Sequence, residues 1–221
     1  ITDNKKPWGI LTGIRPSKIA TKLLTDGMST QDVTEYFIRE YGTSRDKASL
    51  AVSVAEAEVP IRDAMYKDGI SIYIGIPFCP TRCLYCSFVT CGTRQAAKLI
   101  PSYTEMLMKE ISHTAQIIKE CGKRIETIYI GGGTPTTLEA EILDKLISHL
   151  YLEFDLSDCR EFTVEAGRPD TVTREKLEIL KKHKVTRISI NPQTMKDKTL
   201  EIIGRSHKAD DIERAFTEAK E

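Results

Sequence analysis

From residue 70 onward, short apolar runs rich in β-branched residues alternate with longer helix-forming stretches. The apolar runs lie at 70–76, 125–131, 161–166 and 186–191. A strand followed by a helix, repeated along a chain, is typical of βαβ units, in which successive strands lie parallel. This alternation constrains the chain more than any other feature, and it predicts an α/β fold with a parallel sheet.

Helix-forming stretches separate and follow the four apolar runs. They lie roughly at 95–121, 138–152, 173–183, 196–203 and 209–221. Four strands are too few to close a barrel. We therefore predict a partial (β/α) barrel of the TIM type, truncated after about four strands, and we expect the fold to continue beyond Glu221.

The first part of the chain has a different pattern, so we predict two segments. Residues 1–69 form a small helical segment, and residues 70–221 form the N-terminal part of the barrel. Capping residues, glycine and proline mark the helix limits in the first segment. Three helices are predicted: one from near Pro16 to Gly27, one from Ser29 to Gly42, and one that breaks at Pro60.

Charge and composition disfavour several classes of partner. Lys+Arg and Asp+Glu both number 32, so no excess charge favours nucleic acid or an anionic membrane surface. No apolar run approaches the ~20 residues of a membrane span, and the N-terminus lacks the apolar core of a signal peptide.

The 6 cysteines are too sparse for a disulfide scaffold, and four of them cluster. This clustering predicts a metal or redox role in a reducing compartment, the cytoplasm.

The cluster follows the first predicted strand, with Cys79, Cys83 and Cys86 at gaps of three and two residues. Soft thiolates on one short loop suit an iron–sulfur cluster. Three ligands leave one iron of a [4Fe–4S] cube open to a small molecule. The alternatives are a four-cysteine zinc site that includes Cys91, or unrelated thiols. Tyr85, beside the last cysteine, could shield a cluster or pack on an adenine ring.

Ligand-binding residue types follow the other three strands, at the edge where parallel strands present their carboxyl ends. Three glycines in "GGGTPT" allow close approach to a ligand and expose backbone N–H and C=O groups, although a tight turn is the alternative. Glu165 could bind ribose hydroxyls or an amine, or form a surface ion pair with Arg168. Asn191 and Gln193 suit a polar small molecule, and Arg205 could neutralise a carboxylate, although solvated arginines are common.

These motifs resemble a known family. "CPTRCLYC" is similar to the CxxxCxxC loop of radical S-adenosylmethionine enzymes, and "GGGTP" resembles their motif for the methionine part of that cofactor. "YIGIPFCPTRCLYCSF", "VEAGRPD" and "INPQT…IIGRSH" resemble the oxygen-independent coproporphyrinogen III oxidase family. The stretch "LTGIRPSKIA" is similar to its coproporphyrinogen dehydrogenase subgroup from Gram-positive bacteria.

The resemblance implies an oxidoreductase that uses a [4Fe–4S] cluster and S-adenosyl-L-methionine. Cys79, Cys83 and Cys86 would hold the cluster, and Tyr85 would lie beside it in a catalytic position. A one-electron donor such as flavodoxin or ferredoxin would drive cofactor cleavage, and the resulting radical would start the oxidative decarboxylation of coproporphyrinogen III. The implied cofactor-binding residues are Tyr85, Phe88, Gly132, Gly133, Thr134, Glu165, Gln193 and Arg205.

One departure keeps a second function open. Phe88 stands where the best-known oxidases of the family carry a fourth cysteine, and relatives that resemble haem chaperones also have phenylalanine there. Such a protein would bind and deliver haem without decarboxylase activity. The tetrapyrrole would be the partner in either case. Because the predicted barrel is incomplete, we expect the chain alone to bind the cluster poorly and not to turn over porphyrinogen.

Overall fold

The computed structural model describes residues 6–221, apart from the side chains at 94 and 95. Its contacts divide the chain into two compact units, Ile1–Tyr66 and Lys67–Glu221. Within the described residues, no helix combines the length and apolar character needed to cross a membrane.

Over its described residues, 6–66, the first unit has three helices, α1 (Pro16–Thr25), α2 (Thr30–Tyr41) and α3 (Arg45–Asp63). The Ser29 hydroxyl caps α2 by accepting the Asp32 N–H at 3.1 Å. Gly42 ends α2 in the left-handed conformation, at φ 64°. These limits agree with the sequence prediction.

The predicted break at Pro60 is wrong, because α3 continues through this residue to Asp63. Proline removes only its own N–H from the helical hydrogen-bond ladder. Here that position lies in the last turn, where the Pro60 carbonyl still accepts the Ala64 N–H at 3.1 Å. The lost hydrogen bond and the crowding of the proline ring against the carbonyl four residues earlier therefore both fall near the end of the helix.

The second unit contains six strands in chain order. Four of them form one sheet, in which every neighbouring pair is parallel and the order along the sheet is β1-β4-β5-β6. The strands are β1 (Gly69–Ile76), β2 (Phe78–Cys79), β3 (Cys91–Gly92), β4 (Arg124–Gly132), β5 (Glu161–Glu165) and β6 (Arg187–Ser189). The prediction of an α/β fold with four parallel strands, not closed into a barrel, is confirmed.

Helices connect and follow these strands, as predicted. They are α4 (Thr93–Ala96), α5 (Ile100–Glu120), α6 (Ala140–Glu153), α7 (Arg174–Lys182), α8 (Asp197–Ile202) and α9 (Ala209–Lys220). The stretch predicted as one helix over 95–121 is divided between α4 and α5.

The two faces of the sheet differ, because successive strand residues point to opposite sides. One face carries buried apolar side chains such as Ile130 and Val164, which pack in one core with Leu146 of α6. The residues that alternate with them include Tyr73, Tyr129 and Glu165 on the other face, and Tyr73 is 63% exposed. The sheet therefore has an apolar side covered by helices and a polar, aromatic side.

The sequence did not predict β2 and β3, which are two residues each. They pair in parallel, with Phe78 opposite Cys91 and Cys79 opposite Gly92. The Cys91 N–H also donates to the Pro77 carbonyl at 2.8 Å. This pairing joins the two ends of residues 79–91, here named the cysteine loop.

Candidate functional site

The cysteine loop is fixed at the carboxyl end of β1. The Cys86 N–H donates to the Cys83 carbonyl at 3.0 Å, which makes a tight turn between two of the predicted ligands. The loop also bonds to the turn that follows α8, where Leu84 N–H donates to the Ile203 carbonyl and the Thr81 hydroxyl donates to the Gly204 carbonyl. The cysteine loop is thus fixed both at the end of β1 and at the turn after α8.

The three predicted ligands are unpaired, half-buried thiols. Burial raises the pKa of the Cys79 thiol; a hydrogen bond with Thr134 and the charge of Arg168 oppose this shift, while Cys83 and Cys86 add to it. The three thiols therefore interact electrostatically.

Within residues 6–221, no three His, Cys, Asp or Glu side chains form a set that could hold a single metal ion. An iron–sulfur cluster makes a different demand, since each thiolate binds a different iron.

Cys91 points to the opposite face from Cys79. Side chains opposite each other in a parallel pair lie on the same face, and adjacent residues lie on opposite faces. Cys91 is opposite Phe78, and both pack with the apolar core. Cys79 belongs to the other face. This geometry disfavours the four-cysteine zinc alternative.

The glycines after β4 contact the chain's own backbone. Gly133 N–H donates to the Ile76 carbonyl at 2.7 Å, and Thr134 N–H donates to the Phe78 carbonyl at 2.8 Å. A Cβ atom at Gly133 would lie 2.6 Å from the Phe78 oxygen, and Gly132 has φ 108°. The expectation that the glycine motif exposes backbone groups to a ligand therefore does not extend to these two N–H groups. Their role is to fix the start of the cysteine loop against β4.

Gly131 creates space for a polar pair. A Cβ atom there would lie 2.7 Å from the Tyr129 ring and 3.1 Å from the Glu165 carboxyl carbon. The Tyr129 hydroxyl donates to Glu165 Oε1 at 2.6 Å, and the Tyr129 ring stacks on Tyr73 at a centroid distance of 5.8 Å. The hydrogen bond to Glu165, with burial, raises the pKa of Tyr129 to about 12.

Glu165 does not form the ion pair that was the alternative for it. Arg168 instead bonds to Asp170, with Nε 3.4 Å from Oδ1, and its side chain is only 2% exposed. The Glu165 carboxylate therefore stays on the polar face of the sheet beside Tyr129, at the strand end where the sequence placed it.

The side chain of Arg205 extends back toward the strand ends. Its Nη1 donates to the carbonyls of Gly167 and Asn191, at 3.1 and 2.9 Å, while its buried Nε has no hydrogen-bond partner among the described residues. A guanidinium N–H without a partner is a suitable donor for a carboxylate. Gln193 is exposed, with φ 63°, a conformation uncommon outside glycine.

Tyr85 and Phe88 lie on the exposed side of the cysteine loop. Burial, followed by hydrogen bonding with Cys83, raises the pKa of the Tyr85 hydroxyl, while the charge of Arg205 opposes the shift. Tyr85 is therefore adjacent to a predicted ligand and to Arg205. Phe88 is 65% exposed and lines a cavity of about 280 Å³ together with Gly132 and Tyr103. Cavities of about 430 and 550 Å³ lie at the opposite, amino ends of the strands.

Sequence reasoning missed one buried residue of this site. Arg168 was considered only as a partner for Glu165, yet its Nη1 donates to the Cys83 sulfur at 3.4 Å and its Nη2 to the Thr81 hydroxyl at 2.7 Å. The position of Arg168 immediately after a strand end was the available signal. Its direction could not be read from the sequence, because an arginine in that loop can equally extend into solvent.

The donor set of the site suits an iron–sulfur cluster with a small-molecule ligand: three thiols, a cation beside them, and an arginine with a free N–H. The family model for the radical SAM superfamily matches residues 73–221. The chain belongs to the radical S-adenosylmethionine superfamily. The prediction made from the cysteine and glycine motifs is confirmed at this level.

Curated relatives include both oxidase-like proteins and chaperones. The chain is 42% identical over 207 residues to the "Oxygen-independent coproporphyrinogen-III oxidase-like protein HemZ" of Bacillus subtilis, covering 92% of this chain and 41% of that protein. It is 41% identical over 152 residues to the "Heme chaperone HemW" of the same species, covering 68% of this chain and 39% of that protein. The chain thus spans about two fifths of the length of these relatives. The predicted resemblance to the coproporphyrinogen oxidase family is confirmed.

A solved structure supports the fold. Coproporphyrinogen III oxidase (HemN) from Escherichia coli, a radical SAM enzyme, superposes with a TM-score of 0.62 over 74% of this chain and 37% of that chain, at 24% sequence identity. At this level of identity the match establishes the fold, which is a partial, open version of the radical S-adenosylmethionine barrel.

We expect Gly133→Ala to destabilise the barrel unit by about 1–3 kcal/mol, as overpacking against fixed backbone does. The added methyl group would meet the Phe78 and Ile76 carbonyl oxygens at 2.6 and 2.9 Å. Gly75→Ala is the matched control, because its methyl group would lie 3.8 Å from the Tyr73 ring, an ordinary contact. Urea unfolding measures both variants, and equal losses would contradict the packing role of Gly133.

We expect Glu165→Gln to lower the pKa of Tyr129 from about 12 toward its ordinary value of about 10. A raised tyrosine pKa means that folding favours the protonated hydroxyl. The corresponding stabilisation is complete below the ordinary value and is lost as the pH rises through about 12. Tyrosinate ultraviolet absorbance against pH measures the shift, and Tyr129→Phe identifies the late-titrating group. A Glu165→Gln curve identical to that of the wild type would refute the pairing.

Proposed function

We propose that this chain is the cofactor-binding part of a radical S-adenosylmethionine oxidoreductase that decarboxylates coproporphyrinogen III to protoporphyrinogen IX in haem biosynthesis. The observation that carries the proposal is the 42% identity to the HemZ oxidase-like protein, which extends over 92% of the chain and so includes the N-terminal helical unit. The chaperone relative matches only 68% of the chain. We also propose that residues 1–69 and 70–221 are its two segments.

The residues of the site have distinct roles in this proposal. Cys79, Cys83 and Cys86 hold a [4Fe–4S] cluster. When bound, the cluster and S-adenosyl-L-methionine supply the radical chemistry that removes a hydrogen atom from the substrate. Gly132, Gly133 and Thr134 bind the methionine part of S-adenosyl-L-methionine. The Thr134 hydroxyl, 3.4 Å from the Cys79 sulfur, links this segment to the cysteines.

Charged and polar groups at the other strand ends orient the small molecule. The Nε–H of Arg205 is suited to a carboxylate, and Glu165 presents a carboxylate on the polar face, suited to an amine or a ribose hydroxyl. Gln193 supplies an amide on the same edge. Tyr85 lies beside Cys83 and Arg205 and would lie next to the cluster. Phe88 lines the neighbouring cavity and is suited to stacking on a flat ring.

The reaction needs several external partners. Each decarboxylation removes one hydrogen atom, one electron and CO₂ from a propionate side chain and leaves a vinyl group. The released electron passes to a one-electron acceptor, and a donor such as flavodoxin or ferredoxin supplies the electron that starts each cycle. The 6 free thiols support a reducing compartment, which we propose to be the cytoplasm.

Anaerobic reconstitution with iron and sulfide tests the cluster. We expect a brown wild-type protein that releases 5′-deoxyadenosine from S-adenosylmethionine when dithionite is added. Cys83→Ser should lose the bound iron and this activity, because a ligand is removed. Cys91→Ser should retain both, since Cys91 packs with the apolar core. Iron loss from Cys91→Ser as well would instead support the zinc-type four-cysteine site.

The second candidate function is haem delivery, which the 41% identity to a haem chaperone and the phenylalanine at position 88 favour. The two functions are separated by supplying the natural full-length chain with coproporphyrinogen III, S-adenosylmethionine and dithionite without oxygen. We expect loss of CO₂ from two propionates, read by mass spectrometry of the porphyrin. Stoichiometric haem binding without any vinyl product would overturn the oxidase in favour of the chaperone.

A further inference from the structure

Arg168 is a buried cation in direct contact with a predicted cluster ligand. Its side chain is 2% exposed, and it lies immediately beyond β5, on the strand edge that carries the site. It has four contacts, which are Cys83 Sγ at 3.4 Å, Thr81 Oγ1 at 2.7 Å, the Thr81 carbonyl at 3.5 Å and Asp170 Oδ1 at 3.4 Å. Three of these four contacts are made to the cysteine loop.

The charge balance around Arg168 is incomplete without the loop. A guanidinium group stays protonated in a protein, so it can be buried only beside compensating anions or hydrogen-bond acceptors. Asp170 is the one carboxylate paired with it among the described residues, and His207 shares that carboxylate, with Nδ1 3.6 Å from Oδ1. The remaining contact with a group that can carry negative charge is the Cys83 sulfur. The Cys83 sulfur is therefore the group of the cysteine loop that faces this partly compensated cation.

We propose that Arg168 is a positioning residue that holds Cys83 in its ligand position and makes the cluster easier to reduce by one electron. The inference deepens the proposed function and rests on it. An external one-electron donor supplies the electron, and no covalent bond is broken. Hydrogen bonds to ligand sulfurs set cluster potentials. A nearby N–H donor and a fixed positive charge stabilise the reduced cluster, which carries one more negative charge, more than the oxidised one.

A purely structural brace would have a different signature. The two bonds to Thr81 fix the loop whatever Cys83 binds, and their loss would lower stability or iron content. It would not move the reduction potential of the clusters that still assemble. The potential is therefore the readout that separates the two roles.

The test compares three variants of the full chain after anaerobic reconstitution. Arg168→Met removes the charge but keeps most of the volume, and Arg168→Lys keeps a point charge without the planar fork. Arg82→Met is the matched control, because Arg82 is an exposed arginine of the same loop that donates to the Cys86 carbonyl, at 3.4 Å, and not to a sulfur. Redox titration, followed by electron paramagnetic resonance of the reduced cluster, gives each potential.

For Arg168→Met we expect the ratio of reduced to oxidised cluster, at a fixed solution potential, to fall about tenfold. This corresponds to a reduction potential lower by about 59 mV for one electron. This ratio should fall less in Arg168→Lys, and in Arg82→Met it should equal that of the wild type. Loss of iron from an Arg168 variant, with an unchanged potential in the clusters that still assemble, is the signature of a structural brace and would overturn the inference.

Further outcomes overturn the inference, and the experiment distinguishes them. A wild-type protein that takes up no iron overturns the proposed function and this inference with it. If the wild type assembles a cluster and Arg168→Met has the same iron content and potential, the inference alone is overturned. The same holds if Arg82→Met shifts the potential as much as Arg168→Met does.

Discussion

The site depends on two backbone hydrogen bonds between neighbouring strands. The N–H groups of Gly133 and Thr134 bond to the carbonyls of Ile76 and Phe78. They continue the pairing of β1 and β4 past the end of the sheet and so fix the direction in which the chain leaves β1. Cys79 follows directly, with its sulfur beside the Thr134 hydroxyl. The glycine segment and the cysteine loop are therefore one packed unit, in which side chains at the glycine positions would prevent the contact.

The fold was predictable from sequence because its signal is periodic. The four β-branched runs became the four strands of the sheet. Apart from the stretch that is divided into α4 and α5, the helices follow their predicted limits closely. What could not be predicted was local. Pro60 is tolerated because it falls in a last turn, which composition alone does not reveal. The pairing of β2 with β3 is too short to leave a pattern.

The site was predictable in its residue types but only partly in its contacts. The motif resemblance led to the family that the 73–221 match establishes. The glycines were expected to serve a ligand, yet Gly133 bonds to the chain itself. An ion pair between Arg168 and Glu165 was one of two alternatives, and Arg168 is directed toward Cys83 instead. Both differences depend on where a loop turns in three dimensions. The sequence states the residues of such a loop but not their directions.

The attachment of the cysteine loop to the turn after α8 has a consequence for biosynthesis. Thr81 and Gly204 are separated by 123 residues along the chain. During translation the thiols emerge well before the segment that anchors them, and at about 5–20 residues per second the delay is several seconds or more. Throughout that interval the loop lacks one of its supports. Iron delivery is therefore best matched to a chain that has already been synthesised past Gly204, because only then can Thr81 and Leu84 bond to the turn after α8.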